Sequence, residues 1–149
     1  MPEPRDRVTR KADLLAALTA PAADVWVATA SAESAPYLVP LSLAWIDDRA
    51  VIALEERSVT ARNLAASGVA RLAVGPTRDV ALIDVVLERS VGVDDDEPLG
   101  EAYAAQADWD PRGVPGYVFL VLRPTRIQAW RESNELSGRV LMRDATWLI

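Results

Sequence analysis

The feature that most limits this chain is a succession of short β-branched runs, each cut off by turn residues before it reaches helical length. Asp24–Ser31 (DVWVATAS) reads as a strand, because valine, threonine and tryptophan suit a pleated surface. Ser31–Pro36 (SAESAP) is a polar turn, and Tyr37–Trp45 (YLVPLSLAW) reads as a second strand. Pro40 inside it has no N–H for a ladder, which predicts an edge strand or a bulge. Ile46–Arg49 (IDDR) turns the chain into Ala50–Glu55 (AVIALE), a third strand, and these three form an antiparallel meander. Val69–Val74 and Val80–Val91 follow, separated by the Gly75–Asp79 turn. Tyr117–Leu122 and Thr125–Arg131 read as two strands on either side of Pro124. The tail Ser137–Ile149 is expected to form a short hairpin turning at Arg143–Ala145.

Three segments break the β pattern. Lys11–Ala20 (KADLLAALTA) is a short helix that stops at Pro21. In Ser58–Ser67 (SVTARNLAAS), Ser58 is a good cap, Ala61, Leu64 and Ala65 recur at helical spacing, and Gly68 can end the helix. Asp94–Glu97 with Pro98 opens a helix over Leu99–Trp109, with acids at its positive end and proline in its first turn. The 149 residues form one domain, with a helical arm at 1–23 and a C-terminal tail or hairpin at 132–149. The element order fits a mostly β fold, an antiparallel barrel with attached helices.

Absences narrow the chemistry. The chain has no cysteine and no histidine, which excludes thiolate and imidazole catalysis together with the metal sites those residues build. Lys11 is its only lysine and falls in the first helix, so a Schiff-base lysine is not expected. Sixteen basic against 22 acidic residues leave a net charge of −6, which disfavours nucleic acid as a partner. No apolar run approaches the roughly 18–20 residues of a membrane span, and the charged start is unlike a secretory signal. A cytoplasmic protein without a membrane partner is the expectation.

Most conspicuous motifs have ordinary readings. Asp94–Glu97 reads as a solvated helix start, since adjacent carboxylates converge poorly on a metal and the calcium-loop spacing is missing. The glycines make neither GxGxxG nor a P-loop. The five tryptophans read as core or interface anchors, although Trp109 and Trp130, at or beyond element ends, can line a pocket. Glu55–Leu64 (EERSVTARNL) is the most informative stretch. A strand delivers the chain to a helix start bearing two hydroxyls, Ser58 and Thr60, with Arg57 and Arg62 alongside. Two readings fit: an ordinary capped helix with surface arginines, or a phosphate site of free amides, hydroxyls and a guanidinium.

In this order and spacing, VWVATA…APYLVPLSLAW, AVIALEE and SVTARNLAASGVARLAVG resemble the pyridoxamine-phosphate-oxidase-like split barrels, which bind FMN or a deazaflavin. Tyr117–Leu122, Arg123-Pro124 and Arg126–Trp130 extend the resemblance, which covers about Asp24 to Arg131. It implies an antiparallel six-stranded split barrel, a homodimer, and a cofactor at the interface between copies. It also implies a cofactor site at Ser58, Thr60, Arg62 and Asn63 for the phosphate, aided by Arg57. The strand stretch Val39, Pro40, Leu41 and Ser42 would meet the ring through its backbone, and Arg78 would reach the partner's cofactor. Relatives often carry lysine where this chain has Thr60. The implied activity is hydride transfer to or from an unidentified small molecule, with FMN slightly favoured; the alternative is a flavin- or planar-ligand-binding protein without turnover. No catalytic residue and no metal ligand is nominated.

Overall fold

A computed structural model describes all 149 residues. In chain order the elements are α1 (Arg7–Thr19), β1 (Asp24–Ala30), β2 (Pro36–Ser42), β3 (Ala44–Ile46), β4 (Arg49–Glu55), α2 (Val59–Ser67) and β5 (Val69–Val74). Then come β6 (Val80–Gly92), α3 (Glu97–Gln106), β7 (Tyr117–Trp130), a 3-10 turn at Ser133–Glu135, β8 (Val140–Arg143) and β9 (Thr146–Trp147). Every ladder is antiparallel, and the main path runs β2-β1-β5-β6-β7-β4-β3.

The two end strands of that path, β2 and β3, are successive pieces of one stretch. The run Tyr37–Trp45 is therefore not the single strand its composition suggests. Its first part pairs with β1 and its last part with β4. Between them Leu43 belongs to neither ladder; it is wholly buried, and its amide donates to the Ala23 carbonyl at 2.8 Å. The meander is thus split, with six long strands in the barrel once β2 and β3 are taken as one. Pro40 lies on the path's terminal strand, where a missing N–H costs no ladder bond on the open side.

Pro124 does not end a strand either. β7 runs unbroken through it, because two local features absorb the proline. The register against β6 slips between Asp84↔Arg126 and Val85↔Pro124, which leaves Thr125 as an extra residue. On the other side, β7 pairs with β4 only as far as Leu122 and with β8 from Ile127. Pro124 falls in the gap, where no ladder requires its N–H.

The core is aliphatic. Val25 and Val27 of β1, Leu72 and Val74 of β5, Ile83 and Val85 of β6 and Leu120 and Leu122 of β7 meet Leu14 and Leu18 of α1 inside the barrel. A smaller cluster lies beneath α3, where Tyr103 packs on Phe119 at 5.1 Å between ring centres. The helices differ modestly from expectation. α1 begins four residues early, because Asp6 caps it by accepting the Thr9 amide at 2.7 Å. α3 begins at Glu97, capped by Asp96, and ends at Gln106, short of Trp109. The C-terminal hairpin forms as expected and turns on Asp144 and Ala145, at φ 51° and 61°. Residues 1–6 are no helix and belong to no strand; they are clipped down through Arg5.

Candidate functional site

The candidate residues fall in three places: the start of α2, the edge strand β2 and the turn after β5. At the first, β4 finishes at Glu55 and Ser58 caps α2, its side-chain oxygen accepting the Ala61 amide at 3.2 Å. Gly68, at φ 74° and with its amide on the Leu64 carbonyl, closes the helix in the left-handed conformation glycine allows. Within the chain, the amides of Val59 and Thr60 have no acceptor, as first-turn amides ordinarily lack one. The Ser58 hydroxyl keeps its proton to donate. Arg57 and Arg62 are exposed and form no ion pair or side-chain hydrogen bond. Free amides, a hydroxyl and two unspent guanidinium groups suit an anion, and the positive end of α2 adds to them.

The other two residues of that segment turn inward. Thr60 is 3% exposed, and Asn63 is buried, donating from Nδ2 to Thr29 Oγ1 at 3.1 Å. Their side chains belong to the packing between α2 and β1, so Thr60 faces an anion only through its amide. The Asn63–Thr29 bond fixes α2 at the Thr29↔Tyr37 level of the β1–β2 ladder.

From that level β2 runs as the open edge of the sheet, offering backbone groups that no neighbour takes. Val39 and Leu41 lie opposite Val27 and Val25 and are half-buried inward; Pro40 and Ser42 face outward beside Trp26 and Asp24. A groove of about 580 Å³ opens here, lined by Asp24, Trp26, Pro40, Leu41, Ser42 and Gly75 among others. It lies three to five strand residues from the Tyr37 level, or about 10–17 Å at the usual rise. The two places lie on opposite faces of β1, Thr29 inward with Val25 and Val27 and Trp26 outward, so a ligand that used both would have to pass over the open β2 edge.

Arg78 is not brought to this anion end. It lies in the turn after β5, whose last residues pair with the start of β1, the opposite end of that strand from Thr29. Its side chain is 80% exposed and held by Glu132 at 3.0 Å. Trp130 borders the same polar depression as Arg78, whereas Trp109 packs edge-to-face on Tyr117. Among the tryptophans, Trp45 is in the core but Trp26 is not. The strict alternation Val25-Trp26-Val27 carries that signal, since two inward valines send the residue between them outward.

No family model matches the chain, and no curated protein matches it. Solved structures do. An F420 reductase superposes with a TM-score of 0.61 at 20% identity, over 75% of this chain and 93% of its own. General Stress Protein 26 from Bacillus anthracis str. Sterne gives 0.65 at 13%, over 80% and 92%. A pyridoxamine 5'-phosphate oxidase-related, FMN-binding protein from Nostoc punctiforme gives 0.54 at 17%, over 83% and 78%. With the antiparallel ladder order and the split second strand, these likenesses establish that the chain has the split-barrel fold of the pyridoxamine 5'-phosphate oxidase-like proteins.

Proposed function

We propose that this chain binds a flavin-type cofactor from α2 over the open β2 edge to the Trp26 groove and works as a homodimeric oxidoreductase on a small molecule. One observation carries the reading: the first-turn donors of α2 are unspent beside two unpaired arginines, at one end of an open strand edge. The names of two solved neighbours, an F420 reductase and an FMN-binding protein, support it. When bound, such a cofactor would supply the hydride chemistry that no protein side chain provides.

The protein's own work is to hold and orient. Ser58, the Val59 and Thr60 amides and Arg62 take the phosphate, with Arg57 near. The open backbone of Val39–Ser42 would hold the polar edge of the ring. Lys11 has no part in the site, because its Nζ donates to the Ile149 carbonyl oxygen at 2.7 Å and lies over Trp147. FMN is preferred to a deazaflavin, whose phosphodiester and acidic tail meet a chain of net charge −6. Binding without turnover is the second reading, favoured by the neutral, buried Thr60 side chain at the position where the family resemblance implies a lysine.

Calorimetric titration with each cofactor, alongside visible absorption spectra, tests the proposal. FMN is expected to bind the more tightly. Tighter deazaflavin binding reverses the preference, and no binding of either defeats the proposal. Turnover of the loaded protein with a reductant separates enzyme from carrier, and sedimentation tests the dimer.

A further inference from the structure

Four of the five tryptophans have a partner. Trp45 lies in the core, Trp109 packs on Tyr117, Lys11 lies 4.5 Å over Trp147, and Arg139 lies 6.0 Å over Trp130. Trp26 has none. It is 49% exposed on the outer face of β1, while Val25 and Val27 on either side enter the core.

The ladders determine what surrounds it. Pro40 on β2 and Ala73 on β5 stand directly opposite Trp26, and both rise less from the sheet than an indole. With Gly75 nearby, they leave the groove of about 580 Å³ in which Trp26 is the only aromatic side chain. Leu38 and Val69, the other large apolar residues exposed on this face, stand outside the recess. The feature is therefore a recess with one aromatic wall rather than a flat apolar plate. Beside it runs the open edge of β2, whose unpaired backbone groups need polar partners.

We propose that Trp26 is the aromatic platform for the planar ring of the bound cofactor, a contact that determines preference for the ring rather than for the phosphate. This inference rests on the cofactor reading above. A flat heteroaromatic ring has apolar faces and a polar edge. The indole covers a face by offset stacking, and the β2 backbone meets the edge. A second copy of the chain would instead have to insert a side chain into the recess.

The test uses the full-length protein with two probes, FMN and lumiflavin, the second being the ring without ribityl or phosphate. Both are expected to quench tryptophan emission of the wild type. Trp26→Leu should weaken both probes about tenfold and remove much of the quenching, with the sedimentation profile unchanged. Trp26→Phe, which keeps a flat face, should restore most of the affinity. Arg62→Ala should weaken FMN but leave lumiflavin alone, separating the two ends of the site. If Trp26→Leu binds both probes as tightly as the wild type, the platform is overturned while the cofactor reading stands. If it alters only the oligomeric state, the face is a contact between copies and the inference is likewise overturned. If the wild type binds neither probe, the cofactor reading itself has failed.

Discussion

Arg5 and Glu135, 130 positions apart, are joined by three hydrogen bonds of 2.9–3.0 Å, one from the Arg5 backbone amide and two from its guanidinium. The Glu135 carboxylate is 1% exposed, and it also accepts the Arg131 amide at 2.8 Å. Arg5 in addition reaches Asp13 on α1 and Asp79 in the turn after β5. This one residue thereby fastens the N-terminal segment to α1, to the turn after β5 and to the 3-10 turn at Ser133–Glu135.

That clasp makes stability depend on pH at the acid end. The Arg5 guanidinium holds the Glu135 carboxyl far below the usual carboxylate range, against the opposing effect of burial. An acid depressed in the folded state contributes fully above its unfolded value, near 4.3. Its contribution is lost as pH falls through the folded value. Urea unfolding should therefore show stability falling progressively below about pH 4–5. Glu135→Gln should flatten that acid limb while lowering stability at pH 7. Arg5→Ala at pH 7 should lower stability, by less than the roughly 3–5 kcal/mol of a buried charge left wholly unpaired, because Glu135 keeps the Arg131 amide at 2.8 Å and its guanidinium at 3.4 Å.

Arg62 is expected to behave in the opposite way. It is exposed and forms no ion pair, so Arg62→Ala should leave the melting temperature of the unliganded protein nearly unchanged. FMN affinity should fall about ten- to a hundredfold, the loss of a charge-assisted bond of roughly 1.5–3 kcal/mol. Unchanged affinity would move the phosphate away from α2.

Thr60→Lys is expected to be harmful. Because Thr60 is 3% exposed, the longer side chain must displace packed neighbours or carry an ammonium group into the protein. A loss of about 1–3 kcal/mol should follow, with no gain in FMN affinity. A stable and tighter-binding variant would mean that α2 presents this face to the ligand.

The Asn63–Thr29 bond should be measurable by a double-mutant cycle. Asn63→Ala leaves a buried hydroxyl without its partner and should cost about 1–3 kcal/mol. Adding Thr29→Val should recover part of that loss. Strict additivity of the two changes would show that the bond does not anchor α2.

Gly75 is constrained twice. Its φ is +87°, and an added Cβ would collide with the Asp79 carbonyl oxygen. Gly75→Ala should destabilise the β5–β6 turn by more than the roughly 1 kcal/mol typical of an unfavourable backbone angle alone. Gly68→Ala, at φ +74° with open space around it, should cost only about that amount. Equal losses at the two positions would contradict the close contact.

Local physics written into the sequence determined the elements. Short apolar, β-branched runs bounded by turn residues marked β1, β4 and β5 within a residue, because such preferences act over a few positions whatever the chain does elsewhere. Ser58 and Gly68 likewise marked the ends of α2, since a cap is a bond between near neighbours. The tertiary structure decided what depended on partners far away in the chain. Whether Pro40 and Pro124 interrupt strands was set by which neighbours each strand had at that point: β2 pairs on one side only, and β7 exchanges β4 for β8 across Pro124. The inward turn of Thr60 and Asn63 came from packing α2 on β1, and so separated the side chains of a motif that is contiguous in sequence. Trp26 was placed outside the barrel by its own strand's alternation, but the recess beside it required Pro40 and Ala73 from two other strands. Faces and caps follow from nearest neighbours; register, edges and grooves follow from pairings that close loops of many residues, which the linear pattern does not encode.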